Sequence, residues 1–230
     1  MCTTKNLPDI PPSLSSIIVP ALTPGHTVVV LIQNGLNIEK SLIESFPHNI
    51  VLSGVSMIDS HEVFPGRIVH EFPDDLLVGA FSNPNRPLDA QCAAAKDFIK
   101  IYSAAGRTKC GYSEDVALSR WRKLVFNAAY NPVCAITGLD DGRIRLAGAV
   151  EGLVRPAMKE IVATARALGH DLPGSIIDTM IHVDPIELHL KPSMLCDAEK
   201  VRPRWFFSNP TSADGCRGIV WSLRIWWASR

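Results

Sequence analysis

Lys123, Asn127 and Asn131 recur every four residues within the stretch Trp121-Arg122-Lys123-Leu124-Val125-Phe126-Asn127-Ala128-Ala129-Tyr130-Asn131-Pro132. On an α-helix that spacing makes one row, drifting by about 40° per step. The flanking Leu124, Val125, Phe126, Ala128 and Ala129 are apolar, so a lysine and two asparagines run along a helix otherwise built for burial. Buried polar groups need partners, and a cleft holding an anionic or carbonyl ligand supplies them. A lysine ammonium can give a proton, and its charge can stabilise a carbonyl oxygen turning into an alkoxide. An asparagine can donate to a ligand while accepting from the lysine. Such a row suits the reduction of a ketone. A surface lysine with two asparagines that solvate or cap a helix end has the same spacing, and the residues alone leave both readings open. Pro132 lacks an N–H and disfavours the α conformation at Asn131, so the row is expected to end at a kink.

The elements that must position this row change character along the chain. Pro12 to Leu22 reads as a helix, and Thr27 to Ile32 is a continuous apolar run expected of a strand buried on both faces. Gln33-Asn34-Gly35 turns the chain into a helix over 36–46, followed by a strand over 49–56. Segments 67–72 and 76–81 read as a hairpin around Pro73-Asp74-Asp75. Asp89 is the expected N-cap of a helix from Ala90 to Ala105, closed by Gly106. A short strand over 108–112 returns to the sheet. The alternation implies a mostly parallel, helix-covered sheet that ends in an antiparallel piece. From Ser113-Glu114-Asp115, which resembles a helix start, the pattern is helical over 114–136, 149–169 and 174–191. A boundary is therefore expected near residue 113.

Composition limits the partners. Lys plus Arg and Asp plus Glu both number 23, giving a formal net charge of zero, which argues against nucleic acid or an anionic membrane as the main partner. No apolar run approaches the roughly 20 residues needed to cross a bilayer. Cysteines 2, 92, 110, 134, 196 and 216 have no zinc-like spacing and read as reduced thiols. Asp140-Asp141-Gly142 reads as a turn or cap rather than a metal site. His61, His70 and His182 are isolated, and Glu160 borders a core face. Residues 201–230 hold four of the five tryptophans (205, 221, 226 and 227), five arginines and one acid. This tail is expected to be foreign to the fold, a genuine aromatic-rich terminus being the other reading.

Several motifs in order resemble the ketopantoate reductase (2-dehydropantoate 2-reductase) family. The stretch from Trp121 to Pro132 is similar to its W-x-K-L-x-x-N-x-x-x-N-P signature. Gln33-Asn34-Gly35 resembles its Q-N-G turn after a sheet strand. Gly54-Val55-Ser56 with Pro65-Gly66-Arg67-Ile68-Val69 resembles its next strand and hairpin, and Pro192-Ser193-Met194-Leu195-x-Asp197 its S-M-x-x-D motif. Lys5 sits where that family has a lysine ending a strand. The likeness runs to about residue 200.

The resemblance implies a partial Rossmann-type α/β domain over 1–113. It implies an all-helical substrate domain over 114–200, similar to the 6-phosphogluconate dehydrogenase C-terminal fold, and a non-family tail over 201–230. It implies a cytoplasmic enzyme, with a mitochondrial location as the other possibility, and a homodimer as its possible assembly. In such an enzyme, hydride passes from NADPH to the 2-oxo carbon of a small acid in the cleft between the domains. Lys123 is then the general acid, and Asn127 and Asn131 bind substrate and orient the lysine. Asn34 faces nicotinamide and substrate, Ser193 binds the substrate carboxylate, and Lys5 lies near the cofactor.

Two features depart from the family. No G-x-G-x-x-G phosphate turn occurs in the chain, which reads as beginning inside such a domain. Trp205 stands where the family has a substrate-binding glutamate. Weak NADPH binding and slow turnover are expected, and a catalytically impaired remnant serving as a helical dimerisation or regulatory module is the alternative reading.

Overall fold

The computed structural model describes residues 1–201; the aromatic-rich tail and Trp205 lie outside the described residues. Two compact units divide between Arg120 and Trp121.

The first unit is built on a four-stranded sheet. Its strands are β1 (Val29–Leu31), β2 (Val51–Ser56), β5 (Asp75–Ala80) and β6 (Lys109–Tyr112), in the order β1-β2-β5-β6. β1 runs parallel to β2, β2 antiparallel to β5, and β5 parallel to β6. Cys2 extends the ladder beyond β1: its N–H donates to the Val30 carbonyl (2.7 Å), and its carbonyl accepts from the Ile32 N–H (3.0 Å).

Alternation along the strands sorts their side chains onto two faces. Val29, Leu31 and Val51 pack with Ile38 and Leu42, against Leu14 and Ile18 of α1 (Leu14–Ile18). Leu42 belongs to α2 (Lys40–Ser45). Val30, Leu52, Leu76 and Val78 pack on the other face against Ala95, Phe98 and Tyr102 of α3 (Leu88–Tyr102). Both faces of the central strands are thus covered, as the continuous apolar runs predict.

The expected hairpin is repaired differently. β4 (Arg67–His70) pairs with β3 (Ser60–Phe64) in a separate two-stranded sheet, while β5 joins β2. The turn that closes the hairpin is Pro65-Gly66, where Gly66 has φ +79°. Leu76 and Val78 instead bury themselves in the main sheet, an outcome set by long-range packing. Asp89 is not the N-cap of α3. That position falls to Pro87, and the Asp89 carboxylate accepts from the neighbouring Ala90 N–H within the first turn.

α4 (Val116–Thr137) opens where the acidic start was expected, with Asp115 Oδ1 accepting the Leu118 N–H at 2.8 Å. Its first turn still packs within the sheet unit. A Cβ at Gly79 of β5 would come within 2.4 Å of the Ser113 carbonyl and 2.9 Å of the Val116 Cβ. The packing boundary therefore falls inside α4 rather than at residue 113, where the strands stop.

The described part of the second unit, residues 121–201, is helical. Beyond α4 it contains α5 (Asp141–Leu146), a π-helical turn (Val150–Val154), α6 (Arg155–Ala167), α7 (Ile176–Ile181), a 3-10 turn (Ile186–Leu188) and α8 (Ser193–Val201). Val125, Ala129, Tyr130, Cys134, Ile144, Met158, Met180 and Leu195 form its buried interior.

α4 matches the helix expected over 114–136: it passes through Pro132 and runs on to Thr137, because Cys134 and Ala135 on the next turn are buried and hold it. Gly138, at φ +73°, ends it, with its N–H on the Cys134 carbonyl. The helix expected over 174–191 breaks after Ile181, since Pro185 cannot continue one and His189 takes a left-handed φ of 47°.

Candidate functional site

In the helical unit, Lys123, Asn127 and Asn131 all lie on α4. At 1.5 Å per residue the row is about 12 Å long. Lys123 and Asn127 are half-buried. Asn131 is 6% exposed, and its Oδ1 is buried with no hydrogen-bond partner. Such an orphan acceptor costs free energy unless a donor reaches it. Beside it, the Tyr130 hydroxyl is also buried and unpartnered, and burial pushes its pKa up to about 12. Burial likewise raises the Cys134 thiol to about 12, which keeps it protonated and unreactive.

Ser193 is the exposed first residue of α8, whose start is closed by the Leu195 and Cys196 N–H groups on the Pro192 carbonyl. Glu199 of α8 pairs with Lys191 at 2.9 Å. Asp140 is the N-cap of α5: its Oδ1 accepts the Arg143 N–H at 2.7 Å and lies 3.1 Å from His189 Nδ1. Burial pushes the Asp140 carboxyl up. The Arg143 N–H, His189 and the Arg143 charge outweigh that and hold it below the usual carboxylate range. This cluster caps a helix, as the turn reading expects. No group of three or more potential metal ligands stands together among the described residues.

In the sheet unit, the turn after β1 and the segment after Cys2 are tied together. Gln33 Nε2 donates to the Thr4 carbonyl (2.8 Å) and to Thr4 Oγ1 (3.0 Å). Lys5 and Asn34, both exposed, therefore lie in adjacent segments, Lys5 after the isolated parallel bridge of Cys2 to Leu31 and Asn34 just beyond the C-terminal end of β1. That is where open α/β sheets receive ligands. Gly35, at φ +127°, completes the turn; a Cβ there would lie 2.8 Å from Ile38 Cγ2.

Sequence reasoning missed Arg120, the centre of this end of the sheet. It is 5% exposed, and the Glu39 carboxylate beside it, 0% exposed, lies 2.8 Å from its Nε. That Nε–H is aimed at Ser53 Oγ (2.6 Å), so charge proximity rather than a directed hydrogen bond holds the carboxylate. Nη1 donates to the carbonyls of Gln33 and Gly35, both at 2.9 Å. Nη2 reaches those of Leu31 and Gly54 at 3.5 Å. Burial lowers the guanidinium pKa, and the Glu39 carboxylate pushes it back up. The available signal was weak: two opposite charges at helical core positions, Arg120 one turn after Val116 and Glu39 beside Ile38.

Two models of one family match the chain, ketopantoate reductase PanE/ApbA over residues 1–83 and its C-terminal part over residues 115–204. An uncharacterized protein of Saccharomyces cerevisiae is 35% identical over 218 residues, covering 86% of this chain and 60% of that protein. A 2-dehydropantoate 2-reductase of Nostoc is 26% identical over 189 residues, covering 81% of this chain and 58% of that enzyme. The chain thus spans about 60% of the length of these relatives. A crystal structure of 2-dehydropantoate 2-reductase from Methylococcus capsulatus superimposes with a TM-score of 0.69 at 27% identity, over 96% of this chain and 71% of that one. Among the described residues no helix is long and apolar enough to cross a membrane. With both halves of one family matched in order, on the predicted sheet and helical parts, the chain belongs to the ketopantoate reductase family.

Proposed function

We propose that this chain serves the NADPH-dependent reduction of a small 2-oxo acid, with 2-dehydropantoate as the substrate that gives pantoate for coenzyme A synthesis. The observation that carries the reading is the α4 row. Its inner asparagine, Asn131, has a buried and unanswered acceptor, and a half-buried lysine stands two turns away. The sheet unit, through Arg120, serves as the cofactor part and the helical unit, from Trp121, as the substrate part. Lys5 and Asn34 fit the cofactor, being two exposed donors in adjacent segments at the end of β1, a lysine ammonium for phosphate charge and an amide for the carboxamide of the ring. When bound, a reduced nicotinamide supplies the hydride.

The remaining work belongs to side chains of this chain. Lys123 Nζ hydrogen-bonds the 2-oxo oxygen and delivers its proton as negative charge grows there. Asn127 orients the lysine and binds substrate. Asn131 Oδ1 accepts a substrate hydroxyl, which satisfies the orphan. The Ser193 hydroxyl donates to the carboxylate, and Asn34 binds both substrate and cofactor. The Lys123→Ala variant, at saturating NADPH, is expected to lower 2-dehydropantoate-dependent NADPH oxidation by roughly 10²-fold or more, the scale of a general acid. An unchanged rate removes Lys123 from that role.

A further inference from the structure

We infer that Arg120, held in place by Glu39, is a positioning residue for Asn34; the catalytic part of this inference rests on the reading of Asn34 as a site residue. One nitrogen of Arg120, Nη1, bridges the carbonyls of Gln33 and Gly35, the residues immediately before and after Asn34. The two peptide planes that flank Asn34 are thereby fixed from below, while its own side chain stays exposed.

The surrounding geometry closes off other positions for the turn. The Gln33 side chain is anchored on Thr4, and Gly35 occupies a left-handed φ with Ile38 packed against its Cα. None of the four carbonyls that Arg120 gathers points to an arrangement a point charge could reproduce. They spread around a planar fork, together with Ser53 Oγ. Lysine carries a compact charge on a flexible stem and cannot hold that spread of acceptors.

A bare guanidinium at this depth would be costly, and Glu39 makes it tolerable by supplying the counter-charge. If stability were the only end served, an apolar pair of similar volume would serve as well. What the apolar pair cannot do is fix the carbonyls on both sides of Asn34. The ion pair therefore has a use beyond packing: it sets the direction in which the Asn34 amide leaves the sheet.

The two roles separate in the double variant R120M/E39L, which removes both charges together. The probe is backbone ¹⁵N relaxation of the full chain, with thermal unfolding measured alongside. The expected result is a fold and unfolding temperature close to the parent. The order parameters of Asn34 and Gly35 should fall from about 0.85 to below about 0.6, with β2 and α3 unchanged. Order parameters that stay near the rigid value at Asn34 overturn the inference, as does loosening spread evenly over the sheet. Should the double variant fail to fold, R120K, which keeps the charge and loses the fork, is expected to show the same localised loosening, and a rigid turn in R120K overturns the inference equally.

The catalytic consequence is read by a cycle with Asn34→Ala. R120M/E39L should lower kcat/KM for the 2-oxo acid as far as N34A does, and should lower it no further in the N34A background. Additive losses overturn positioning through Asn34. An N34A variant with unchanged kcat/KM overturns instead the reading of Asn34 as a site residue, and the relaxation data then judge the positioning by themselves.

Discussion

Replacing Arg120 alone by methionine leaves the Glu39 carboxylate, 0% exposed, without the guanidinium 2.8 Å away. At an effective dielectric constant of about 20, two unit charges at that distance attract by about 6 kcal/mol. Desolvation of both groups consumes most of that gain in the intact pair, but the cost of removing one partner is not offset. Breaking a buried pair costs about 3–5 kcal/mol, a large share of the 5–15 kcal/mol that holds a typical fold together. Glu39→Leu should cost somewhat less, about 3 kcal/mol, because Arg120 keeps Ser53 Oγ and the Gln33 and Gly35 carbonyls as acceptors. The double variant should return to within about 1 kcal/mol of the parent, since no charge is then left buried. The coupling energy from the cycle is therefore several kcal/mol, well above that of an exposed ion pair. Urea unfolding followed by circular dichroism measures all four corners. With a slope of about 2 kcal/mol per molar, the R120M midpoint drops by about 2 M. An R120M midpoint within about 0.3 M of the parent, or a double variant no better than the single, refutes the reasoning.

Other substitutions probe the frame around the site. Asp140→Ala should cost about 1 kcal/mol through the lost cap on Arg143 N–H. The sign for pH follows from the lowered folded pKa of Asp140: its contribution is fully present above the unfolded carboxylate value and disappears as pH falls through the folded value. Asp140→Asn should therefore flatten the acid limb of a stability-against-pH curve, and an unchanged limb would contradict the assignment. Gly79→Ala drives a methyl to 2.4 Å from the Ser113 carbonyl and should destabilise by about 1–3 kcal/mol, which an unchanged denaturation midpoint would disprove. Tyr130→Phe deletes a buried hydroxyl without a partner and should be neutral or stabilising by up to about 1 kcal/mol; a loss above about 2 kcal/mol means the hydroxyl has a partner in solution.

The parts of the fold legible in sequence were those with a local period. The continuous apolar run over 27–32 marked a strand buried on both faces, and the spacing of Lys123, Asn127 and Asn131 placed them on one helix. Pairing between strands was not legible. Pro65-Gly66 and Pro73-Asp74-Asp75 offer competing turn signals, and only the burial of Leu76 and Val78 beside β2 decides between them. Pro132 illustrates the converse, a strong local breaker overridden by buried residues on the following turn. For the site, the row could be read as chemistry only with the ordered motifs around it. The Arg120 support could not be read at all, because it joins residues 85 apart through backbone carbonyls, which carry no sequence signal.

The proposed role of the α4 row is to receive a 2-oxo acid. Its most direct test is a titration of the chain with 2-dehydropantoate, without cofactor, followed through the side-chain amide resonances of Asn127 and Asn131. Saturable shifts are expected at both amides, largest at the buried Asn131, and are abolished in Lys123→Ala. Resonances that do not move, or that move equally in the lysine variant, would contradict it.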